Sequence, residues 1–162
     1  ESFVESTIEG NIHAIELFLR AGVSPNTRDK RGVPLICHAA REGNRTIVKF
    51  LVDNGADINL QAEDRGNTAL MDAVAGSHIE IVQDLIANGA DVNLLSKDGQ
   101  SALVLAAGKN HEQMSRLLLK AGADPDIADK LGFSARKYAQ LFKNPDMLAL
   151  FEEYTARQEV SE

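Results

Sequence analysis

The stretch GNTALMDAVAGSHIEIVQDLIANGADVN, residues 66–93, is followed by a second version of itself, GQSALVLAAGKNHEQMSRLLLKAGADPD, at residues 99–126. Each version starts at a glycine, carries two apolar runs and ends in Gly-Ala-Asp followed by Val-Asn or Pro-Asp. Self-similarity at a fixed step of about thirty residues is the signature of a repeat protein. These two stretches therefore predict a repetitive fold, and the rest of the chain can be searched for further copies.

Two columns of glycines extend the repeat in both directions. The first column consists of Gly22, Gly55, Gly89 and Gly122, and the second of Gly32, Gly66, Gly99 and Gly132. A glycine after a helical stretch is typical of a helix that ends through a left-handed residue. The first column, together with Gly10 and Gly43, therefore predicts helix ends, whereas the second predicts the turn that starts each repeat. One longer step predicts an extra residue around 61–64.

Apolar residues keep the same step and predict two helices in each repeat. One column contains Ala14, Ile47, Ile81, Met114 and Met147; the column four residues later contains Phe18, Leu51, Leu85, Leu118 and Phe151. Positions four apart lie on one helix face, so these columns predict the buried side of the second helix. Another column holds Phe3, Ile36, Leu70, Leu103 and Arg136, and small residues follow three positions later at Ser6, Ala39, Ala73, Ala106 and Ala139. This pattern predicts a first helix that packs closely against its neighbours.

These stretches resemble the ankyrin repeat, whose pattern runs G-x-T-P-L-H-x-A-A-x-x-G-H-x-x-I-V-x-x-L-L-x-x-G-A-D-V-N. The resemblance implies an all-α solenoid of stacked helix-turn-helix units joined by short β-hairpins or loops. We expect one domain, 1–162, with repeats at about 1–28, 29–61, 62–95, 96–128 and 129–154, and a tail at 155–162 that is a helix end or disordered. The family histidine is replaced by Cys37, Met71 and Val104, so apolar packing should take its place.

The outermost repeats and the linkers carry further expectations. A terminal repeat needs a polar outer face, and Arg136, Lys137 and Lys143 fit that need in the last repeat. The first repeat lacks a leading hairpin, so we expect both ends to be caps. The column Asn26, Asn59, Asn93 and Asp126 is expected to brace successive linkers through hydrogen bonds to the backbone.

The resemblance also implies where a partner would bind, because the family contacts its partners through hairpin tips and the ends of first helices. In this sequence those positions are Lys30, Arg31, Val33, Arg41, Glu42, Asp64, Arg65, Asn67, Ala75, Lys97, Asp98, Gln100, Lys109, Leu131, Phe133 and Phe142. They are expected to line one rigid concave surface.

Charge is distributed unevenly along the chain. Six basic residues accompany two acidic ones between Arg28 and Lys49, whereas eight acidic residues accompany Arg65 alone between Phe50 and Ser96. The pattern predicts a groove that is basic near its N-terminal end and acidic in the middle, which would orient a charged partner. The alternative is that these charges are ordinary solvated helix faces.

Leu131 and Phe133 flank the turn glycine Gly132, where polar residues are expected. An exposed apolar pair at a hairpin tip could anchor a partner side chain. The alternative is that both side chains fold under and shield the last helix pair, and Phe142 carries the same ambiguity.

The sequence contains none of the common motifs of catalytic, phosphate-binding or zinc sites. There is no G-x-S-x-G elbow, phosphate-binding loop or H-E-x-x-H pattern. His78 and His111 belong to a repeat column, and the adjacent Cys37 and His38 point in different directions on a helix, so no metal site is expected. We therefore predict no cofactor, no metal and no catalytic residue.

The composition narrows the function further. With a net charge of −7, a nucleic-acid partner is not expected, and no apolar run is long enough to cross a bilayer. We predict a monomeric, cytoplasmic protein-binding module, although a disulfide-free exported protein would share the composition. Because the first residue is Glu1 rather than Met, the alternative is a regulatory or targeting segment of a larger protein; a small-ligand or enzymatic role would need a deep apolar pocket with converging polar groups.

Overall fold

A computed structural model describes residues 2–161, so Glu1 and Glu162, the outer ends of the first predicted repeat and of the predicted tail, lie outside the described residues. The chain divides into two compact units, Glu1–Asp91 and Val92–Glu162. The described residues form ten helices, and the one β-pairing recorded within 2–161 is an isolated bridge between Arg28 and Pro34. The all-α repeat fold is confirmed, whereas a single domain stays a prediction.

Unit 1 contains three helix pairs, which correspond to the first three predicted repeats. They are α1 (Phe3–Glu9), α2 (Ile12–Arg20), α3 (Leu35–Glu42), α4 (Arg45–Asp53), α5 (Ala69–Ala75) and α6 (Ile79–Ala87). The first helices pack in the order α1, α3, α5, and the second helices pack in the order α2, α4, α6. Ile47, Leu51, Ile81 and Leu85 of the second-helix columns are fully buried, as predicted.

Unit 2 contains the last two helix pairs. They are α7 (Ala102–Gly108), α8 (Glu112–Lys120), α9 (Ala135–Leu141) and α10 (Pro145–Ser161). Helix α7 packs against α9, and α10 packs against both α8 and α9. Met114, Leu118, Met147 and Phe151 are fully buried. The predicted tail is the last part of α10, so the helical alternative holds for residues 155–161.

The first repeat departs from its predicted column. Ala14 and Phe18 are only partly buried, whereas the neighbouring Ile15 is fully buried. Helix α2 has a second helix of unit 1 on one side only, namely α4, whereas α4 packs between α2 and α6. Phe18 instead places its ring 5.4 Å from that of Phe3 on α1. In the first repeat, Phe18 therefore packs on α1 of its own repeat, while α2 still packs against α4 of the next one.

The small residues predicted for the first helices are buried without exception. Ser6, Ala39 and Ala73 in unit 1 and Ala106 and Ala139 in unit 2 are at most 1% exposed. Cys37, Met71 and Val104, which stand where the family has histidine, are each 1% exposed. Apolar packing therefore does replace the family's hydrogen bonds at this position.

Hydrogen bonds from the linkers follow the predicted column of asparagines. The Asn26 side-chain oxygen accepts from the Asp57 N–H at 2.7 Å, and Asn59 accepts from Asp91 at 2.8 Å. In unit 2, Asn93 accepts from Asp124 at 3.0 Å. Each bond satisfies a backbone donor of the following linker, which ties successive repeats together.

The last repeat uses the final member of that column differently. Asp126 accepts from the Arg136 guanidinium at 2.7 Å, and Arg136 also donates to the Thr155 hydroxyl at 2.8 Å. Lys137 and Lys143 are exposed. The expected polar cap is confirmed, with Arg136 acting as a partly buried brace rather than as a solvated charge.

Candidate functional site

Some of the side chains predicted to contact a partner meet at a small recess in unit 1. It has a volume of about 60 Å³ and lies where two successive hairpin tips meet α3 and α5. Its walls are formed by Arg31, Val33, Cys37, His38, Arg41, Ala62, Asp64, Arg65, Asn67 and Asp72. Six of these residues, namely Arg31, Val33, Arg41, Asp64, Arg65 and Asn67, were predicted from their positions in the repeat.

Asp29 shapes the first hairpin tip of the recess. Its carboxylate accepts from the Arg31 N–H at 2.8 Å and from the Val33 N–H at 3.0 Å, while the backbone closes the turn from Asp29 N–H to Val33 carbonyl at 2.9 Å. Gly32 occupies the left-handed region at φ 77°, which the turn requires and glycine adopts without strain. The turn presents Arg31 to solvent.

The second hairpin is fixed to the first through backbone groups. The Glu63 N–H donates to the Gly32 carbonyl at 3.1 Å. Arg28 donates to the carbonyls of Gly32 and Gln61 at 2.7 and 2.9 Å. The second turn is one residue longer, because the closing bond runs from Ala62 N–H to Asn67 carbonyl. The extra residue therefore lies in the turn closed by residues 62 and 67, which overlaps the predicted region 61–64.

His38 binds the other oxygen of the same aspartate. Its Nε2 lies 2.8 Å from the Asp29 carboxylate, and both side chains are largely buried. Burial alone would raise the pKa of Asp29, but hydrogen bonds from the Val33 N–H, the His38 ring and the Arg31 N–H outweigh it and lower the pKa. Asp29 is therefore a structural carboxylate that holds the tip in shape.

An ion pair crosses the floor of the recess. Arg41 Nη2 lies 3.0 Å from the carboxylate of Asp72, whose side chain is only 3% exposed. Asn67 Nδ2 approaches the same oxygen at 3.5 Å. Burial raises the pKa of Asp72 despite the opposing effect of Arg41. Burial and the neighbouring Asp72 also raise the pKa of the Cys37 thiol, which stays protonated and unsuited to act as a nucleophile.

Three of the six basic residues in the predicted patch bind other groups of the same chain. Arg28 binds backbone carbonyls, Arg41 binds Asp72, and Arg45 binds Asp84 at 2.6 Å and Glu80 at 3.5 Å. Lys30, Arg31 and Lys49 are exposed and form no ion pair with another residue in 2–161. Lys30 and Arg31 lie at the hairpin tip, so they carry what remains of the predicted patch at the recess.

In unit 2 the predicted residues lie on two further hairpins and on the end of α7. Lys97, Asp98 and Lys109 are exposed, and the Gln100 N–H donates to Ser96. The Lys130 N–H donates to the Asp98 carbonyl at 3.0 Å, which joins the two hairpins as in unit 1. Glu42 of unit 1 is likewise exposed at the end of α3.

Leu131 and Phe133 were predicted either to be exposed or to fold under the last helix pair, and each residue follows a different alternative. Leu131 is 80% exposed. Phe133 is partly buried and stacks on Tyr138, with ring centroids 5.3 Å apart. Phe142 also stacks on Tyr138, with ring centroids 6.5 Å apart, yet remains 48% exposed.

Sequence reasoning missed several residues of these surfaces. Asp72 and His38 occupy one repeat column, which continues with Leu105 and Tyr138, and that column was not examined. The available signal was the change in this column from polar residues in the early repeats to apolar residues in the late ones. Leu141, which is 58% exposed, belongs to the column of Arg41 and Ala75, which was predicted to contact a partner, but the member of that column in the fifth repeat was not named.

Two properties bear on the class of site. No helix between residues 2 and 161 combines the length and the apolar character needed to cross a membrane. Within the same residues there is no group of three or more histidine, cysteine, aspartate or glutamate side chains placed to hold a metal ion. The candidate site is therefore a surface of polar and apolar side chains around a small recess.

Comparison with known proteins agrees with this architecture. The family described as ankyrin repeats (3 copies) matches residues 4–96 and 75–160. A putative ankyrin repeat-containing protein of Treponema pallidum (strain Nichols) is 39% identical over 93% of this chain and 50% of its own length. The ankyrin repeat and KH domain-containing protein mask-1 of Caenorhabditis elegans is 32% identical over 94% of this chain and 6% of its own. Protein HOS4 of Saccharomyces cerevisiae is 41% identical over 68% of this chain and 10% of its own.

The chain thus spans half of the Treponema protein and a small part of the two larger relatives. The family match covers most of the described residues, and the helix pairs, glycine turns and linker bonds follow the same period. The chain belongs to the ankyrin repeat family.

Proposed function

We propose that this chain is a non-catalytic module that binds another protein through its hairpin tips and first helices. Ankyrin repeats are in general protein-interaction modules without catalytic activity. The observation that carries the proposal is the recess of unit 1, where variable side chains from two successive hairpins meet. Because the backbone of those hairpins is held by repeated hydrogen bonds, these side chains can change without loss of the fold.

The chemistry of the recess supports binding over catalysis. Asp29 is committed to two backbone N–H groups, Asp72 to Arg41, and Cys37 is a buried thiol. The recess, at about 60 Å³, is far below the roughly 300 Å³ at which sites for small ligands begin. The larger groove of unit 1, about 420 Å³, lies between the second helices α4 and α6 and away from the hairpin tips. A surface that offers exposed charges around a shallow recess suits a protein partner.

The first experiment captures partners on the immobilised chain from a lysate of the organism that encodes it. Each candidate is then purified, and its dissociation constant is measured by isothermal titration calorimetry. The test variant is Lys30→Glu/Arg31→Glu/Arg65→Glu, which reverses three exposed charges at the hairpin tips. Arg41 is left intact, because a glutamate there would face the buried Asp72.

The control variant reverses the same number of charges on second helices, as Arg20→Glu/Lys49→Glu/Lys120→Glu. We expect the tip variant to weaken a genuine partner by at least about tenfold, as loss of an interface charge cluster does, and the control to bind as the wild type does. Equal binding by the tip variant, or equal weakening by the control, would refute the proposed surface. Circular dichroism establishes that each variant is folded.

A second candidate function is that these repeats serve as a regulatory or targeting segment of a larger protein. The observation that favours it is the share of each relative's length that the chain matches, which is 50% for the Treponema protein and 6% for mask-1. The name of mask-1 also includes a KH domain. The complete reading frame decides this point. A frame that ends close to both termini of this chain would exclude it. The monomeric state, the cytoplasmic location and the lack of a nucleic-acid partner remain predictions.

A further inference from the structure

Five apolar side chains lie on the last hairpin and on the first helix of the last repeat in unit 2, and we call this set the apolar strip: Leu131, Phe133, Tyr138, Leu141 and Phe142. The rings of Phe133, Tyr138 and Phe142 stack in a row, with interplanar angles of 26° and 22°. Leu141 lies three residues after Tyr138 on α9, which places both on one helix face. Leu131 extends the row at the hairpin tip.

The strip is too exposed to be an ordinary core. Leu131 is 80% exposed, Leu141 58% and Phe142 48%. In most helix surfaces large apolar residues are exposed singly, whereas here they are neighbours. A contiguous patch of aromatic and aliphatic side chains is typical of the centre of a protein interface.

The position of the strip in the repeat strengthens this interpretation. Its five residues stand three repeats after Arg31, Val33, His38, Arg41 and Glu42, which line or border the recess of unit 1. Four of these five columns are polar in the second repeat and apolar in the fifth, whereas the column of Val33 and Phe133 is apolar in both. These are the variable columns that the repeat does not need for its own packing.

Capping of the repeat array does not explain the strip. The side of α9 that corresponds to buried positions in α7 has become polar, as a terminal repeat requires. Val104 and Ala107 are each 1% exposed, and their counterparts Lys137 and Gln140 are exposed. The apolar residues lie in different columns, so they have no role in covering the end of the stack.

The charge around the strip indicates what could cover it. Residues 130–143 contain four basic side chains and no acidic one, in a chain whose net charge is −7. Arg136 is paired with Asp126, whereas Lys130, Lys137 and Lys143 make no ion pair within residues 2–161. Lys137 places its ammonium 4.9 Å from the Phe133 ring, at the edge of the strip.

The nearby carboxylates do not neutralise these lysines. Asp129 is 7% exposed, and its carboxylate accepts from the N–H groups of Leu131 and Phe133 at 3.0 and 2.9 Å. Asp126 is engaged by Arg136. Two exposed carboxylates offset the lysines in part: Asp98, whose backbone carbonyl accepts from the Lys130 N–H, and Asp146, three residues after Lys143. With Lys130, Lys137 and Lys143 against these two acidic residues, the rim of the strip keeps a net positive charge.

We propose that the apolar strip binds a protein segment in which aromatic or aliphatic side chains are flanked by aspartate or glutamate. The inference rests on the proposed protein-binding function and adds the chemistry of the bound segment. Apolar side chains of the segment pack on Leu131, Leu141 and Phe142, and its carboxylates face Lys130, Lys137 and Lys143. The apolar contacts supply affinity, while the lysines set orientation and association rate.

The test is a selection from a phage library of random short peptides. Phage are retained on the wild-type chain after depletion on Leu131→Ser/Phe142→Ser, so that only strip-dependent peptides survive. The control variant is Ile8→Ser/Leu17→Ser in unit 1, which removes two apolar residues that are 51% and 53% exposed. Both variants replace exposed side chains and are expected to fold, which circular dichroism checks.

We expect surviving peptides to combine apolar residues with acidic flanks and to bind the control variant as they bind the wild type. Lys130→Glu/Lys143→Glu should weaken synthetic copies by at least about tenfold at low salt, and less at high salt. Survivors with basic flanks, survivors unaffected by the lysine reversal, or the absence of survivors would overturn the proposal.

Two further results separate this inference from its alternatives. If the partner captured on the chain is lost with the hairpin-tip charge variant while no strip-dependent peptide is found, the inference fails and the proposed function stands. If the chain sediments as a dimer and Leu131→Ser/Phe142→Ser makes it monomeric, a second copy covers the strip and the proposed segment is wrong. Wild-type monomer in sedimentation agrees with the inference.

Discussion

Arg41 and Asp72 form an ion pair in which one partner is exposed and the other is not. The guanidinium lies 3.0 Å from the carboxylate, and the two side chains are 54% and 3% exposed. Asp72 has thus lost its water, and Arg41 is the main group that compensates its charge, with smaller contributions from Asn67 and His38. A buried charge with one strong partner makes the stability of unit 1 sensitive to that partner.

Arg41→Met should therefore destabilise the protein by about 1–3 kcal/mol, the cost of leaving a buried polar group without its partner. Asp72→Leu introduces the residue that the same column holds at Leu105 and should be close to neutral. The double variant should recover most of the loss caused by Arg41→Met. Urea denaturation of the three variants measures this, and a double variant no more stable than Arg41→Met would contradict it.

The glycines Gly99 and Gly132 offer a matched pair in unit 2. Both adopt the left-handed region, at φ 73° and 83°. A Cβ on Gly99 would lie 3.2 Å from the Lys130 nitrogen, which is already bonded to Asp98, whereas a Cβ on Gly132 has no atom within 4 Å. Gly132→Ala should cost about 1–2 kcal/mol from backbone strain alone.

Gly99→Ala should cost more, because the next hairpin must also move away from the new methyl group. The difference between the two free energies of unfolding isolates the contribution of hairpin-to-hairpin contact. Equal losses would show that the Asp98–Lys130 bond does not restrain the second turn.

Three residues other than glycine stand in left-handed conformation where the first two repeats use Gly10 and Gly43: Ser77, Asn110 and Lys143, with φ between 51° and 58°. Ser77→Gly should stabilise the protein by about 0.5–1 kcal/mol, because the relief of strain exceeds the added chain entropy. Asn110→Gly should gain less, since asparagine tolerates this region. Thermal and urea unfolding test both, and a destabilising Ser77→Gly would contradict the account.

The fold could be predicted because it depends on residue types that recur at every step. Ile47, Ile81, Met114 and the glycine turns each contribute the same contact in each repeat, so the period alone indicates their role. The left-handed Ser77 was not predictable in this way, since serine has no preference for that conformation. Only its place in the column of Gly10 and Gly43 indicates that Ser77 adopts this conformation.

The site could be predicted only in part, for a related reason. The repeat identifies which positions are variable, and six of them do meet in the recess of unit 1. The charge pattern along the chain did not predict which charges pair, however, because partners come from different repeats. Arg45, for example, binds Asp84 thirty-nine residues away. Pairing between repeats follows from side-chain geometry, which neither the period nor the charge pattern contains.

The pKa of Asp29 gives a prediction for acid unfolding. It lies below the ordinary value of 3.8, so the folded state favours the ionised carboxylate. Stability from this group is present above that ordinary value and is lost as pH falls through the lower folded pKa. Asp29→Asn should therefore show a smaller loss of unfolding free energy on acidification than the wild type.

Asp98→Asn, a change at an exposed hairpin tip, is the control and should follow the wild-type curve. Urea titrations at a series of pH values from neutral to below 3.8 provide the measurement. If Asp29→Asn and the wild type lose stability in parallel, the hydrogen bonds to Asp29 do not favour its charged form.

Amide hydrogen exchange of the chain, alone and with a purified partner, tests the binding surface most directly. The account predicts that the partner slows exchange in the hairpins and first helices, at 30–42 and 62–75 in unit 1 and at 97–109 and 130–142 in unit 2. The second helices, at 45–53, 79–87 and 112–120, should exchange as they do in the free chain. Protection confined to those second helices, with the hairpins unchanged, would contradict it.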